Sequence, residues 1–288
     1  MIIDATFWVA ISFSIFVILL IYFKIPSKVK NVLDENINKI RKQVDESEKL
    51  KEEAKNKLAE YEKRIGDSKS KVQAMIEAGC RKILFFPLYP QYSGATTATA
   101  NDEFFRSLMH AKWQPSSRTV PAYFDQKIYI DALAQSVERV YAESEKKPDI
   151  LVCSYHGVPQ RYLMEGDPYH CQCQKTTRLL KERLGWHDSE IITTFQSKFG
   201  PEEWLKPYTV EEVARLAEED GKKHIAVIAP AFSSDCIETL EEINEEIKES
   251  FEEGGGEIFT YIPCLNADKA HINALSTIIE DNLKGWLD

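Results

Sequence analysis

The sequence is short of positive charge: 36 Lys and Arg stand against 46 Asp and Glu, a formal net charge of -10 with a pI near 5.3. Neutralising phosphates needs a basic face, so no nucleic-acid partner is expected. The chain also lacks a glycine-rich phosphate loop, and a nucleotide cofactor is therefore not suggested. Cysteine is sparse and irregular. The six lie at 80, 153, 171, 173, 236 and 264, without the dense spacing of a small secreted disulfide framework, and a reducing compartment is the simpler expectation. Cys171 and Cys173, in His-Cys-Gln-Cys, are near enough to share a metal or cluster, but a single C-x-C is a weak sign against the alternative of two unrelated thiols. What is present is a globular composition: 288 residues, 43% hydrophobic, enough for one or two domains with a core.

Composition changes along the chain and divides it into three segments, 1–30, 31–71 and 72–288. Ala5 to Phe23 reads ATFWVAISFSIFVILLIYF without a charge. At a rise of about 1.5 Å per residue it covers most of a hydrocarbon core roughly 30 Å thick, so a transmembrane helix is expected, with a buried core helix as the alternative. Asp4 precedes the run and Tyr22-Phe23-Lys24 closes it, unlike the basic start and small-residue cleavage site of a secretory signal. Lys24, Lys28 and Lys30 follow. By the positive-inside rule they put the amino terminus outside and the remainder in the cytoplasm, a single pass through the inner membrane. From Asn31 to Lys71 charges of both signs are mixed, and apolar residues recur at Leu33, Ile37, Ile40, Val44, Ala54, Leu58, Tyr61 and Ile65. These steps of three and four mark a long charged helix with one apolar stripe, either self-associating or simply solvated. Gly66-Asp67-Ser68 breaks the pattern.

The Asp-Ala-Thr-Phe-Trp opening, the apolar run, Lys-Ile-Pro after it and the charged helix to residue 65 resemble the anchor and early stalk of an F-type ATP synthase b subunit. That resemblance implies ATP synthase subunits as partners and a peripheral-stalk role. The family's stalk continues for many more turns, whereas this pattern stops.

Beyond Val72 apolar runs alternate with amphipathic stretches. Ile83 to Leu88, Asp149 to Tyr155, Glu190 to Phe195, His224 to Ala229 and Ile258 to Ile262 read as strands. Lys127 to Ala142, Lys175 to Leu184, Val210 to Glu219, Ile237 to Phe251 and Asp268 to Leu283 read as helices. The alternation predicts an α/β domain with a parallel sheet covered on both faces, and ligands beyond the carboxyl ends of its strands. Polar clusters fall at those ends: Tyr89 to Ser93, His156-Gly157, Gln196-Ser197-Lys198 and Ser233-Ser234-Asp235. His156 follows a buried strand, where a neutral imidazole can take a proton or touch a metal, or merely hydrogen-bond within a loop. Glu238, Glu242 and Glu246 lie at i, i+4 and i+8 and so share one helix face, a ladder able to hand a cation inward. Two plainer readings compete: Asp235-x-x-Glu238 is a capping-box arrangement, and Glu241, Glu245 and Glu249 make the helix acidic on more than one face.

The stretches ILFFPLYPQYSGATTAT, SYHGVPQRYLMEGDPYHCQCQKTTRLL, TTFQSKFGPEEWLKPYT, APAFSSDCIETLEEINEE and YIPCLN, in that order, are similar to the ferrochelatase family over Val72 to Asp288. The resemblance implies a chelatase-like (Rossmann-like) parallel-sheet domain, ferrous iron and protoporphyrin IX as substrates, and no redox or nucleotide cofactor. It implies that His156 and Glu238 are catalytic and face each other across the porphyrin, and that Glu242 and Glu246 continue the metal path. Tyr89, Ser93, Lys198 and Trp204 fall on segments lining the porphyrin cleft. Gly94 stands where some relatives carry a cluster cysteine and no cysteine-rich tail is present, so no iron–sulfur cluster is expected. Family members begin with roughly a hundred further residues containing an Asn-Leu-Gly strand; here the domain is incomplete at its amino end. The leading expectation is an anchored ferrochelatase. The alternatives are an ATP synthase stalk component, a porphyrin-binding chimera without turnover, or an accidental joining of two genes.

Overall fold

Apolar runs become strands close to where the sequence places them, but in two parallel sheets rather than one. The computed structural model describes residues 71–286 together with Phe13 and Ile15. Apart from those two residues, the expected membrane helix at 5–23 and charged helix at 31–65 lie outside the described residues. Among the described residues no helix is long and apolar enough to cross a membrane. The chain divides into two compact units, Met1–Asp67 and Ser68–Asp288, and the second carries everything that follows.

The smaller sheet pairs β1 (Lys82–Phe85) with β2 (Ser116–Thr119), Lys82 opposite Ser116 and Phe85 opposite Thr119. The larger contains β3 (Ile150–His156), β4 (Ile191–Gln196), β5 (His224–Ile228) and β6 (Ile258–Ile262), in the order β4-β3-β5-β6. The helices include α1 (Thr99–Met109), α2 (Lys127–Glu143), α3 (Gln160–Met164), α4 (Tyr169–Leu184), α5 (Thr209–Glu218), α6 (Lys248–Glu253) and α7 (Lys269–Leu283). A wide helix with i→i+5 bonding, Glu238–Ile247, runs directly into α6; such segments are rare outside functional sites.

The larger sheet is buried on both faces because its strands alternate apolar side chains to two cores. Leu151, Cys153 and Tyr155 of β3 join Ala226 and Ile228 of β5 against Leu133 and Val137 of α2 and Leu180 of α4. Ile150 and Val152 point the other way, with Ile225 and Val227, against Val213 and Leu216 of α5 and Ile243, Ile247 and Phe251 of the wide helix and α6. Each fully buried side chain of this kind contributes about 1.5–3 kcal/mol. From β3 the chain winds to β4 on one side, then crosses back to β5 on the other side of β3. Such a reversal opens a crevice beyond the carboxyl ends of the strands that flank it, here β3 and β5.

The smaller sheet has its own core of Val72, Ile83, Phe104 and Leu108, with Phe85 stacked on Phe104 at 4.6 Å. Hydrogen bonds join it to the larger sheet. Arg118 Nη1 donates to the carbonyls of Asn282 (2.8 Å) and Lys284 (3.0 Å), and Ser233 Oγ donates to the carbonyl of Leu88 (2.8 Å). Tyr92 N donates to Gln172 Oε1 at 2.7 Å. Of the four polar clusters, that at Tyr89 to Ser93 therefore follows the smaller sheet, and it meets the other three through these bonds rather than through a shared strand edge.

Candidate active site

His156 is the last residue of β3 and pairs with Gln196, the last of β4. Its Nδ1 lies 2.7 Å from the carbonyl of Gly157. A carbonyl only accepts, so Nδ1 carries a proton, and a neutral ring in this orientation keeps its lone pair on Nε2, the state required of a base or a metal ligand. Tyr169 Oη donates to the His156 carbonyl (3.0 Å), holding the strand end. The imidazole lies between Trp204, with centroids 6.5 Å apart, and Phe232 at 6.4 Å. Gly157 makes this possible: a Cβ there would sit 2.7 Å from Gln196 O and 3.0 Å from Trp204 Cε3. Trp204 is half-buried, and its Nε1 is buried without a partner.

Gln196 is the hub between the histidine and the glutamates. Only 4% exposed, it accepts from Ser154 Oγ (2.7 Å) and donates through Nε2 to the carbonyl of Glu238 (2.7 Å) and to Glu242 Oε2 (3.1 Å). Ser197 donates twice to Glu242, from its backbone N and its Oγ, both at 2.5 Å. It does so from the left-handed region, φ 62°, a strained conformation of the kind found at functional sites. Glu242 is therefore a fixed post held by three donors. Glu238, half-buried at the start of the wide helix, takes a hydrogen bond from the Cys236 thiol; burial, followed by this carboxylate, pushes that thiol up to about 11. Glu246 is exposed and lines an open acidic recess of about 420 Å³ with Glu241, Glu245 and Glu249. The three carboxylates thus run from solvent inward, one per turn. Among the described residues no three His, Cys, Asp or Glu side chains gather as a cage for a metal ion.

The capping-box alternative does not describe Asp235. The helix begins after Ile237 with no side-chain cap, and the Asp235 carboxylate turns to the segment after β6. It accepts there from Tyr261 Oη (2.6 Å), Cys264 N (3.0 Å) and Asn266 Nδ2 (2.7 Å). Burial raises the Asp235 carboxyl, but these donors hold it below its ordinary value.

The remaining candidates are placed differently from one another. Tyr89 is exposed beyond β1. Ser93 is fully buried; its Oγ donates to Asp167 Oδ2 (3.1 Å) and accepts from Ala95 N (3.2 Å), capping the turn that leads into α1. Lys198 is exposed, with Nζ 4.3 Å from the centre of the Tyr208 ring. Cys171 is exposed while Cys173 is buried in the core of α4, so the two do not share a ligand. An open recess of about 560 Å³ lies away from His156, between α4 and the edge of β4. Its cations Lys175, Arg178 and Lys181 are each paired, with Asp125, Glu182 and Asp188.

Gln196 and Ser197 were placed at the strand ends as members of a polar cluster but given no role of their own, and Phe232 and Asn266 were missed as individual contributors. Phe232 and Asn266 sit within quoted motifs, but nothing in residue type alone marks an amide or a phenylalanine as part of a metal site. Exposed apolar side chains also follow the strands in sequence: Leu88 after β1, Met164 after β3, Phe199 after β4, and Ile237 and Leu240 after β5.

Fold and site define a parallel-sheet α/β protein of the chelatase-like kind. The arrangement is shared with SirB from Bacillus subtilis with Fe3+, at a TM-score of 0.53 and 15% identity, covering 76% of this chain and 80% of that one. Residues 34–283 match the family described as Ferrochelatase, and the chain belongs to that family. The match begins at residue 34, within the charged segment. The Ferrochelatase of Rhodobacter capsulatus is 63% identical over 237 residues, covering 82% of this chain and 67% of that protein. That of Allorhizobium ampelinum is 53% identical over 234 residues, covering 81% and 68%. That of Rhizobium etli is 54% identical over 218 residues, covering 76% and 63%. The chain thus spans about two thirds of the length of the curated relatives it matches.

Proposed function

We propose that this chain inserts ferrous iron into protoporphyrin IX, giving protohaem. The observation that carries the reading is His156, with Nδ1 engaged by Gly157 and the ring between two aromatic rings, tied through Gln196 to the helix that bears Glu238 and Glu242. Insertion exchanges two pyrrole protons for one dication. In this reading His156 Nε2 accepts the two pyrrole protons one after the other, passing the first to solvent before it takes the second, and Glu238 receives iron opposite it. Glu246 collects the hydrated cation at the surface, and Glu242, held by Ser197 and Gln196, is a stationary way-point rather than a swinging arm. The apolar rim of Leu88, Tyr89, Phe199 and Ile237 suits a flat, largely apolar ring, with Lys198 and Trp204 beside it. Ser93 acts on the ring indirectly, by fixing the wall after Tyr89. No resident cofactor is needed, neither nucleotide nor iron–sulfur cluster, since the metal changes ligands and not oxidation state. Anaerobic ferrous insertion by the full chain, followed by porphyrin absorbance, is expected to proceed. His156→Ala is expected to lower kcat by at least about a hundredfold, the usual size of a lost general base; a variant with unchanged turnover would sink the assignment.

The uncharged run Ala5 to Phe23 and the three lysines after it support a single-pass anchor that keeps this unit on the cytoplasmic side of the inner membrane. A stalk of the ATP synthase b kind through residues 31–65 is the alternative setting, with ATP synthase subunits or a second copy as partner. Extraction of the full chain by detergent but not by alkaline carbonate supports the anchor, and co-purification of ATP synthase subunits supports the stalk.

A further inference from the structure

We propose that Asn266 is a positioning residue for the metal-receiving side of the site, setting through Asp235 the point at which the helix of Glu238 begins. The inference rests on the chelatase reading, because its role is defined relative to Glu238.

The loop from Ser233 to Ile237 enters a wide helix that has no side-chain cap. Its placement comes from the far side of β6. Asn266 Oδ1 accepts from Asp235 N (2.9 Å), while Asn266 Nδ2 donates to Asp235 Oδ2 (2.7 Å) and to the carbonyl of Cys264 (3.0 Å). Its backbone N donates to the carbonyl of Ser233 at 3.0 Å. One asparagine thus engages three polar groups of the loop, much as a neighbouring strand would. Its own backbone is fixed in turn, because the Asn266 carbonyl accepts from His271 Nδ1 (2.7 Å), and that ring is only 2% exposed at the start of α7. At φ 45° Asn266 lies in the left-handed region, which asparagine tolerates better than most residues. Position runs from α7 to Asn266, to Asp235, and three residues on to Glu238.

The amide is specific to this task, since it offers a donor and an acceptor at one end of a short side chain. Asparagine to aspartate keeps the acceptor for Asp235 N but sets a second carboxylate against that of Asp235. Asparagine to glycine keeps the left-handed backbone and the bond to Ser233 but deletes all three side-chain bonds. Tyr261→Phe removes one other donor to Asp235 with little change of volume, and is the variant to use if the first two fold poorly.

The test measures KM for ferrous iron and for porphyrin separately on the full chain and each variant, with anaerobic calorimetry of ferrous binding to the porphyrin-free protein. Asn266→Gly is expected to raise the ferrous KM about tenfold, Asn266→Asp more and Tyr261→Phe less, with the porphyrin KM within about twofold of wild type. Ferrous binding weakens in the same order. Both KM values rising together would show a merely structural role and overturn the assignment. Absence of insertion by the wild type would remove the chelatase reading; the positioning role is still decided by calorimetry, where equal binding by wild type and variants overturns it and graded weakening sustains it.

Discussion

His156 engages Nδ1 with the carbonyl of the very next residue, which turns Nε2 toward any proposed chemistry. That arrangement depends on Gly157. A methyl group there would overlap the Gln196 carbonyl and the Trp204 ring at once, and one obstacle is backbone that cannot swing away. Gly157→Ala is therefore expected to cost about 1–3 kcal/mol, the range for overpacking a tight interior site. Thermal melting would read this as a loss of several degrees. Activity should fall by more than the lost folded fraction, because the same methyl displaces the tryptophan flanking the imidazole. A variant that melts like the wild type would show that strand ends β3 and β4 can part without harm.

At the scale of elements, strands with apolar period were legible and those without it were not. β6 runs from Ile258 to Ile262 as the sequence suggests, whereas β2 is Ser-Ser-Arg-Thr, with no hydrophobic residue to mark it. It is a strand because β1 pairs with it and because Arg118 reaches the carbonyls at the end of α7. The start of α4 was placed too late, at Lys175 rather than Tyr169. Its first turn, Tyr-His-Cys-Gln-Cys, has no amphipathic period, and Asp167 Oδ1 sets the start by accepting from Tyr169 N at 2.9 Å. The wide bonding of Glu238–Ile247 leaves no signal in residue type, since Glu238, Glu242 and Glu246 share a face at ordinary helical spacing as well. Between elements, Asp149 Oδ2 accepts from the backbone N of Lys223 (2.9 Å) and His224 (3.0 Å), locking the entry of β5 to that of β3. Burial pushes the Asp149 carboxyl up, but these two donors, with Lys146 and Lys222 nearby, hold it below its ordinary value. A depressed folded pKa stabilises above the unfolded value near 4 and loses that contribution as pH falls through the folded one. Asp149→Asn is thus expected to lower stability near neutrality by no more than about 1 kcal/mol, because the group is exposed and screened. Denaturant midpoints of variant and wild type should converge below pH 4, and a gap that stays constant down to pH 3 would refute the role given to its charge.

Across the whole described unit, the site is a meeting of two sheets, and only one of them contains the catalytic candidates. The similarity of motifs made the histidine and the acidic helix legible; it could not show that Tyr89 and Ser93 follow a separate, two-stranded sheet. Besides the packing of Leu84 and Phe86 on the large core, its attachment has a far and a near set of polar bonds. At its far end Arg118 donates to two carbonyls at the end of α7 and lays its guanidinium 4.3 Å from the centre of the Trp286 ring, while Lys82 Nζ donates to the Trp286 carbonyl. Near the site Ser233 and Gln172 fasten the Leu88–Tyr92 segment. Removing the far fastening should loosen the small sheet about the near one without touching His156 or Glu238. Arg118→Ala is accordingly expected to speed amide exchange in β1 and β2 while the four-stranded sheet keeps its protection, since the small sheet has a core of its own and separate cooperative units open with different free energies. In turnover it should raise the KM for porphyrin several-fold and leave the ferrous KM unchanged, the reverse of the pattern expected for Asn266. Exchange that quickens equally in both sheets would mean that they open as one cooperative body.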